Sequence, residues 1–324
     1  MLPLDGLRVL EHGETCMASY CGRLLADAGA EVVKAGTLEG DPVRLRGPFP
    51  GDLPNPENGG LFLTLNVNKR SVCLDLDRNE GRDSFETLLS WAHILITDCP
   101  AARTERLALK WPTLHQRHPQ LSVASITYYG ESGPYRDHIG NDHVVYNTGG
   151  LAYATPGMPD HVEDPRVEPP LRPSTPLAEL IAGATGAIAV MLSQLLTLRD
   201  GLGRYIEVSA QEAVANMMYR DVENYSYGKV ITGRRPVQLA KMPNTVMPCK
   251  DGFVTIAVPY DHMWQPFVQM IGSPDWADLE VFSDSLQRAI YWDALYPLLL
   301  EWTMRFTGEE IMRTAQKFDI PCYP

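Results

Sequence analysis

The sequence predicts an α/β protein, with a large doubly wound parallel-sheet domain followed by a smaller α+β domain. Three observations carry this prediction. Short apolar runs alternate with helix-period segments from residue 7 to residue 209, the pattern of a parallel sheet with crossover helices. Residues 180–198 hold no charged side chain and begin with small residues, as a buried central helix would. Beyond residue 228 the chain turns basic and rich in turn-formers, and a new set of strand and helix patterns starts at Phe253. A length of 324 residues leaves room for about two domains. A content of 44% hydrophobic and 21% charged residues is that of an ordinary globular protein.

Taken in order, residues 7–11 read as a strand and 17–28 as a helix, with Gly29 as its C-cap and 31–34 as a second strand. The turn between them, His12-Gly-Glu-Thr-Cys-Met17, lacks the Gly-x-Gly-x-x-Gly fingerprint, so a nicotinamide dinucleotide is not indicated. Residues 36–65, with many Gly and Pro, read as a long surface loop, of a kind that tends to be functional or disordered. Strands are expected at 71–76, 93–97 and 121–127, and helices at 80–91 and near 113–118. A second Pro-rich loop, 151–176, leads to the central helix, followed by a strand at 205–209 and an amphipathic helix at 210–225. The expected division is 1–227 for the large domain, 228–252 for a linker and 253–324 for the small domain. That small domain has a strand at 253–258 and helices near 263–271, 287–306 and 308–318. Its Trp264, Phe267, Trp276, Phe282, Trp292 and Trp302 suit a core better than a base-stacking surface.

Charge narrows the function. A net charge of −12 argues against nucleic acid and anionic membranes as partners. Six scattered cysteines without a Cys-x-x-Cys pair suggest reduced thiols in a cytoplasmic protein. Residues 180–198 graze the length of a membrane span, yet Thr185, Ser193, Gln194 and Thr197 favour a buried helix of a soluble protein. His115 and His118 could suggest a metal pair, but no third ligand accompanies them and no metal is expected.

The stretch Pro176-Leu-Ala-Glu-Leu-Ile-Ala-Gly183 places one carboxylate, Glu179, at the start of the central helix. Such an acid complements the helix dipole, and on local pattern alone that structural role is favoured; the same carboxylate can also be a nucleophile.

Several phrases decide between these roles. Leu4-Asp-Gly-Leu-Arg-Val-Leu-Glu11, Leu24-Leu-Ala-Asp-Ala-Gly-Ala-Glu-Val-Val-Lys34, Gly40-Asp-Pro-Val-Arg44 and Asn66-Val-Asn-Lys-Arg-Ser-Val-Cys-Leu-Asp-Leu76 occur in order. Arg106-Leu-Ala-Leu109, Tyr129-Gly-Glu-Ser-Gly-Pro-Tyr135, Pro176–Gly183, Gly201-Leu-Gly-Arg-Tyr-Ile-Glu-Val-Ser209, Lys250-Asp-Gly-Phe-Val-Thr-Ile-Ala257 and Ile320-Pro-Cys322 follow. No single phrase is specific, but the ordered set resembles the class III CoA-transferase family (CaiB/BaiF), which includes formyl-CoA transferase and the carnitine CoA-transferases. The resemblance implies a Rossmann-like large domain, a smaller domain and an interlocked dimer. It implies acyl-CoA and a free carboxylic acid as substrates, with no tightly bound cofactor. Glu179 occupies the position of the family's nucleophilic Asp, which attacks the thioester to give a mixed anhydride and then an enzyme-bound CoA thioester. Asn68, Lys69, Arg106, Tyr129 and Asp142 fall at motif positions and are the CoA-binding candidates.

The sequence also departs from the family pattern. Glu179 has one more methylene than Asp, which moves its oxygens by about 1.5 Å. The 2-methylacyl-CoA racemases of the same family carry Gly-His-Asp where this chain reads Gly140-Asn-Asp142. Asn141 cannot take a proton, and His143 would be displaced by about 7 Å if the stretch is extended, so racemase is the second reading. A non-catalytic CoA-binding subunit of a heteromeric transferase is the third. No counterpart of the glycine-rich lid of some members stands near 234–244. Family chains continue past the Ile-Pro-Cys phrase, which predicts a small domain without the usual return segment.

Overall fold

A computed structural model of the chain describes residues 2–155, 172–229, 231 and 241–324. Its described residues form two units, one comprising the chain up to Ala152 together with Arg172–Val222, the other including Glu223–Pro324. The loop expected over 151–176, the linker expected over 228–252 and the 234–244 stretch fall partly outside the described residues.

The first unit runs β1 (Arg8–His12), α1 (Cys16–Asp27), β2 (Glu31–Gly36), α2 (Gly60–Leu65), β3 (Lys69–Cys73), α3 (Asn79–Trp91) and β4 (Ile94–Thr97). It continues through α4 (Ala101–Arg106), α5 (Trp111–Arg117), β5 (Ser122–Thr127), α6 (Asp142–Thr148) and α7 (Leu151–Ala154). The central helix α8 (Leu177–Asp200), β6 (Tyr205–Ser209) and α9 (Ala210–Asn216) follow, and α10 (Tyr219–Gly228) spans the boundary between the two units. The six strands are parallel, in the order β3-β2-β1-β4-β5-β6. This is the doubly wound Rossmann-like arrangement, with its switch point between β1 and β4.

The inner strands β1, β4 and β5 are almost wholly buried because both faces of the sheet are covered there, whereas the edge strand β3 is not. Val9, Ile94, Ile96, Ala124 and Ile126 pack with α1, α8 and α9 on one face. Their neighbours Leu10, Leu95 and Val123 pack with Phe85, Leu89 and Leu114 on the other. The alternation is the two-residue period of a strand made visible as two cores.

Helix α8 is long and apolar enough to cross a membrane by length and composition. It lies instead against α1, α6, α9, β5 and β6. Its small residues are what let it come close. A Cβ at Gly183 would stand 2.7 Å from the Met17 carbonyl oxygen, and one at Gly186 would stand 2.5 Å from the Ile126 Cδ1 atom. Bulk at either point would drive α8 off the α1 backbone or off β5.

The second unit contains β7 (Asn244–Cys249), β8 (Gly252–Ala257), α11 (Asp261–Met270), α12 (Ser285–Ile290), α13 (Trp292–Thr303), α14 (Gly308–Gln316) and β9 (Cys322–Tyr323). Its antiparallel sheet has the order β7-β8-β9. Trp264, Phe267 and Phe282 are buried in its core, with Trp276, Trp292 and Trp302 packed against them. Arg288 is fully buried beside Trp264, and its guanidinium donates to the Met242 and Phe282 carbonyls and to Asp261.

Five expectations are corrected. The 36–65 loop ends in helix α2, whose Leu65 is buried beside Cys16 and Val43. The expected strand 71–76 begins and ends earlier, at Lys69 and Cys73, where it pairs with β2. The helices expected at 210–225 and 287–306 are each two, with breaks after Asn216 and at Tyr291. The end of the expected linker is strand β7, which pairs antiparallel with β8 from Asn244↔Ala257 to Cys249↔Gly252. Pro248 and the flanking charges hid it, and its pairing partner lies just across a tight turn.

Candidate active site

Glu179 is the third residue of α8 and is 2% exposed. The helix N-cap is Pro176, which offers no side-chain acceptor to the free N–H groups of the first turn. Asp142 supplies it from another element, its Oδ1 accepting from the Glu179 backbone N–H at 3.0 Å. Asp142 in turn opens α6, which is capped by the Asn141 side chain accepting from the Val144 N–H at 3.0 Å. Asn141 is thus a helix cap. The 140–146 stretch is helical from Asp142 rather than extended, and the exposed His143 makes its contacts with Asn147 one turn on.

Both carboxylate oxygens of Glu179 are held. Oε1 accepts from the Tyr128 hydroxyl at 2.8 Å, and Oε2 accepts from Arg46 Nη1 at 2.7 Å. The pair is asymmetric, since the Arg46 side chain is 38% exposed and that of Glu179 only 2%. The same Nη1 lies 3.2 Å from Cys16 Sγ. Burial, and then the neighbouring Glu179 charge, push the Cys16 thiol and the Tyr128 phenol well up, so both keep their protons. Burial opposes the charge on Arg46, but Glu179 more than offsets this and holds the guanidinium above its ordinary value. Burial also raises the Asp142 carboxyl, while the N–H groups of Glu179 and Ala178 pull it back.

A buried ion network fixes the segment that carries Arg46. Lys34 Nζ bonds Glu11 Oε1 at 2.6 Å and Ser19 Oγ at 3.0 Å. Asp41 Oδ2 lies 2.9 Å from the same nitrogen as an ion pair rather than a directed hydrogen bond. Its other oxygen accepts from the Val43 N–H at 2.7 Å and starts the turn leading to Arg46.

A cleft of about 370 Å³ opens at the switch point. Glu14 and Thr15 line it after β1, Asp98 and Arg103 after β4, and Tyr128 and Tyr129 after β5. These are the carboxyl ends of the strands, where ligands of such sheets bind. Tyr128 therefore lines the cleft and also places its hydroxyl on Glu179.

The CoA-binding candidates separate. Asp142 is joined to Glu179, and Tyr129 lines the cleft one residue from Tyr128. Arg106 lies on a polar recess of about 260 Å³ with Thr37, Asp75 and Arg103, and its Nη1 is 3.4 Å from Asp77. Lys69 is turned inward, donating to Glu11 Oε2 and to the Ser19 carbonyl at 2.7 Å each. Asn68 has a left-handed backbone (φ 62°), and its side chain donates to Asp27 at 2.9 Å. Lys69 and Asn68 are thus occupied within the fold and do not reach Glu179. Sequence reasoning missed Arg46, Tyr128 and Cys16. Arg46 stands two residues past a recognised phrase and Tyr128 one residue before another, but contacts across 133 and 51 positions leave no local pattern. Among the described residues no group of three or more His, Cys, Asp or Glu is placed to hold a metal. His118 bonds Glu86 at 2.8 Å, and His115 packs on Trp111.

Comparison with known proteins agrees with this architecture. The family model of CoA-transferase family III matches residues 4–324. The alpha subunit of succinyl-CoA–L-malate CoA-transferase from Chloroflexus aurantiacus is 30% identical over all of this chain and 74% of its own length. Succinate–glutarate CoA-transferase from Agrobacterium fabrum is 26% identical over 99% of this chain and 80% of its own length. Among solved structures, a CaiB/BaiF family protein from Brucella suis superposes with a TM-score of 0.82 at 25% identity, covering all of this chain and 84% of that one.

Proposed function

The chain belongs to CoA-transferase family III, and from that premise we propose that it moves CoA from an acyl-CoA thioester to a free carboxylic acid through the carboxylate of Glu179. One observation carries the reading. A carboxylate stands at a helix start, buried, paired with Arg46 and linked through Tyr128 to the switch-point cleft. A carboxylate is a weak nucleophile, and it works here by being held in place and kept from water.

In this reading the thioester lies in the cleft, with Tyr129 along the acyl-pantetheine arm and Arg106 at the polar recess for phosphate. Glu179 attacks the thioester carbonyl and expels CoA thiolate, giving a mixed anhydride. The thiolate attacks the Glu179 carbonyl carbon, releasing the donor acid and leaving an enzyme-CoA thioester. The acceptor carboxylate repeats the two steps in reverse. Lys69 serves this site through the fold, its ammonium buried on Glu11, while the exposed Asn68 stays a candidate for contact with CoA. The relatives act on succinyl-CoA with L-malate and on succinate with glutarate, so dicarboxylic acids are the first donors and acceptors to try. An isomerase would need a second base on the opposite face of the substrate α-carbon. His143 points to Asn147 and does not provide it.

The quaternary reading is a dimer, homomeric or with a paralogous chain. Ile188, Leu192, Leu195 and Leu198 of α8 are exposed in the single chain, an apolar stripe of the kind that a partner covers. Six free cysteines, five of them buried, suit a reducing, cytoplasmic setting.

The test is Glu179→Gln assayed for CoA transfer from succinyl-CoA to a panel of dicarboxylic acids. Loss of transfer with folding intact supports the reading. Unchanged turnover removes Glu179 from the chemistry.

A further inference from the structure

We propose that Tyr128 is a further catalytic residue: its hydroxyl donates to Oε1 of Glu179 as negative charge collects there, and Oε2 is the atom that attacks. This rests on the reading of Glu179 as the covalent relay and assigns separate tasks to its two oxygens.

The geometry distinguishes the oxygens. Oε1 faces a donor that is fixed. Tyr128 directly follows β5, and its ring is backed so closely by Gly140 that a Cβ there would stand 2.4 Å from Tyr128 Cβ and Cγ. Oε2 faces a donor that is free to leave. Arg46 is a long side chain, 38% exposed, on an irregular segment after the turn that Asp41 caps. Entry of an acyl-CoA with a carboxylate or polarised carbonyl gives the guanidinium another acceptor and uncovers the Oε2 lone pairs. The Tyr128 bond needs no such break.

The electron count is simple at each step. When Oε2 bonds to the acyl carbon, the C–S bond breaks and its pair leaves on CoA sulfur, while Oε1 becomes the carbonyl oxygen of the anhydride. When thiolate adds to Cδ of Glu179, the C=O pair moves onto Oε1, then returns as the Cδ–Oε2 bond breaks and the donor acid departs. No proton is consumed. In the first tetrahedral stage the charge sits on the substrate carbonyl oxygen, and in the stage formed at Cδ it resides on Oε1, the atom already 2.8 Å from the Tyr128 oxygen and within the range of an oxyanion donor. Burial holds the Tyr128 phenol far above its ordinary range, so the donor stays protonated at any working pH. The residue type matters too, since Phe would fill the same space without the donor.

Tyr128→Phe is compared with the wild-type chain for kcat, KM for succinyl-CoA, melting temperature and hydroxylamine trapping of Glu179 as the hydroxamate. The expected result is a fall in kcat of about 10²-fold with KM changed by no more than about threefold, and slower appearance of the hydroxamate. Turnover within about twofold of wild type, with wild type still labelled at Glu179, overturns the role of Tyr128 and leaves the relay standing. No label in the wild-type chain under turnover overturns the relay, and the role of Tyr128 with it. Should the Phe variant melt below the assay temperature, mono-, di- and trifluorotyrosine at position 128 carry the test. A kcat that tracks phenol acidity supports the proposal, and a flat response overturns it.

Discussion

At the scale of single residues, the site is a set of borrowed partners. Glu179 takes its backbone acceptor from α6, one side-chain donor from the end of β5 and the other from the segment after β2. The Asp142 contact makes a specific prediction, because it replaces the cap that Pro176 cannot provide. Asp142→Ala should cost about 0.5–2 kcal/mol in a denaturant titration, the usual cost of a lost helix cap. Asp142→Asn, which keeps the accepting oxygen, should recover most of that loss. Equal losses in both variants would mean that charge rather than hydrogen bonding sets the role of Asp142. Glu179 was legible in the sequence because it stands inside a phrase of the family resemblance; Asp142 was singled out only as a CoA-binding candidate, and its bond to the Glu179 N–H was not legible. Arg46 and Tyr128 were not, since only folding brings residues so far apart in the chain onto one carboxylate. Lys69 marks the converse limit: its type and position suggested a phosphate ligand, but a buried Glu11 claims its charge first.

At the scale of elements, α8 and α1 set how close the site can be built. Apolar composition announced α8 as a core helix, and its small residues announced a close neighbour. The identity of that neighbour required the structure. In an exposed helix Gly→Ala is favourable by about 1 kcal/mol. At Gly183 the sign should reverse, because the new Cβ would meet the Met17 carbonyl at 2.7 Å. Gly183→Ala is expected to destabilise the chain by about 1–3 kcal/mol, read from the shift in the unfolding midpoint. A stabilised variant would show that α1 and α8 yield at this contact. Element boundaries were legible where periodicity was long, as in α1, α3 and α8. They were obscured where a break has no Gly or Pro to mark it, as at Tyr291, or where a short strand depends on its partner, as β7 depends on β8.

At the scale of the whole molecule, the alternation of strand and helix patterns was enough to predict the doubly wound sheet, since burial on both faces leaves an apolar signature in its inner strands β1, β4 and β5. The proposed dimer rests on the apolar stripe that a single chain leaves uncovered. Replacing Leu192 and Leu195 by Glu on the exposed stripe of α8 should shift the protein to monomers in light scattering, with the sheet core unaffected. An unchanged oligomer would place the interface elsewhere. The central claim concerns covalent chemistry at one carboxylate, and it is tested most directly by borohydride reduction of the full chain during turnover with succinyl-CoA, followed by peptide mapping. The account predicts that Glu179 alone is converted to the corresponding alcohol, and only when acyl-CoA is present. A fully active protein in which Glu179 is recovered unmodified would contradict it.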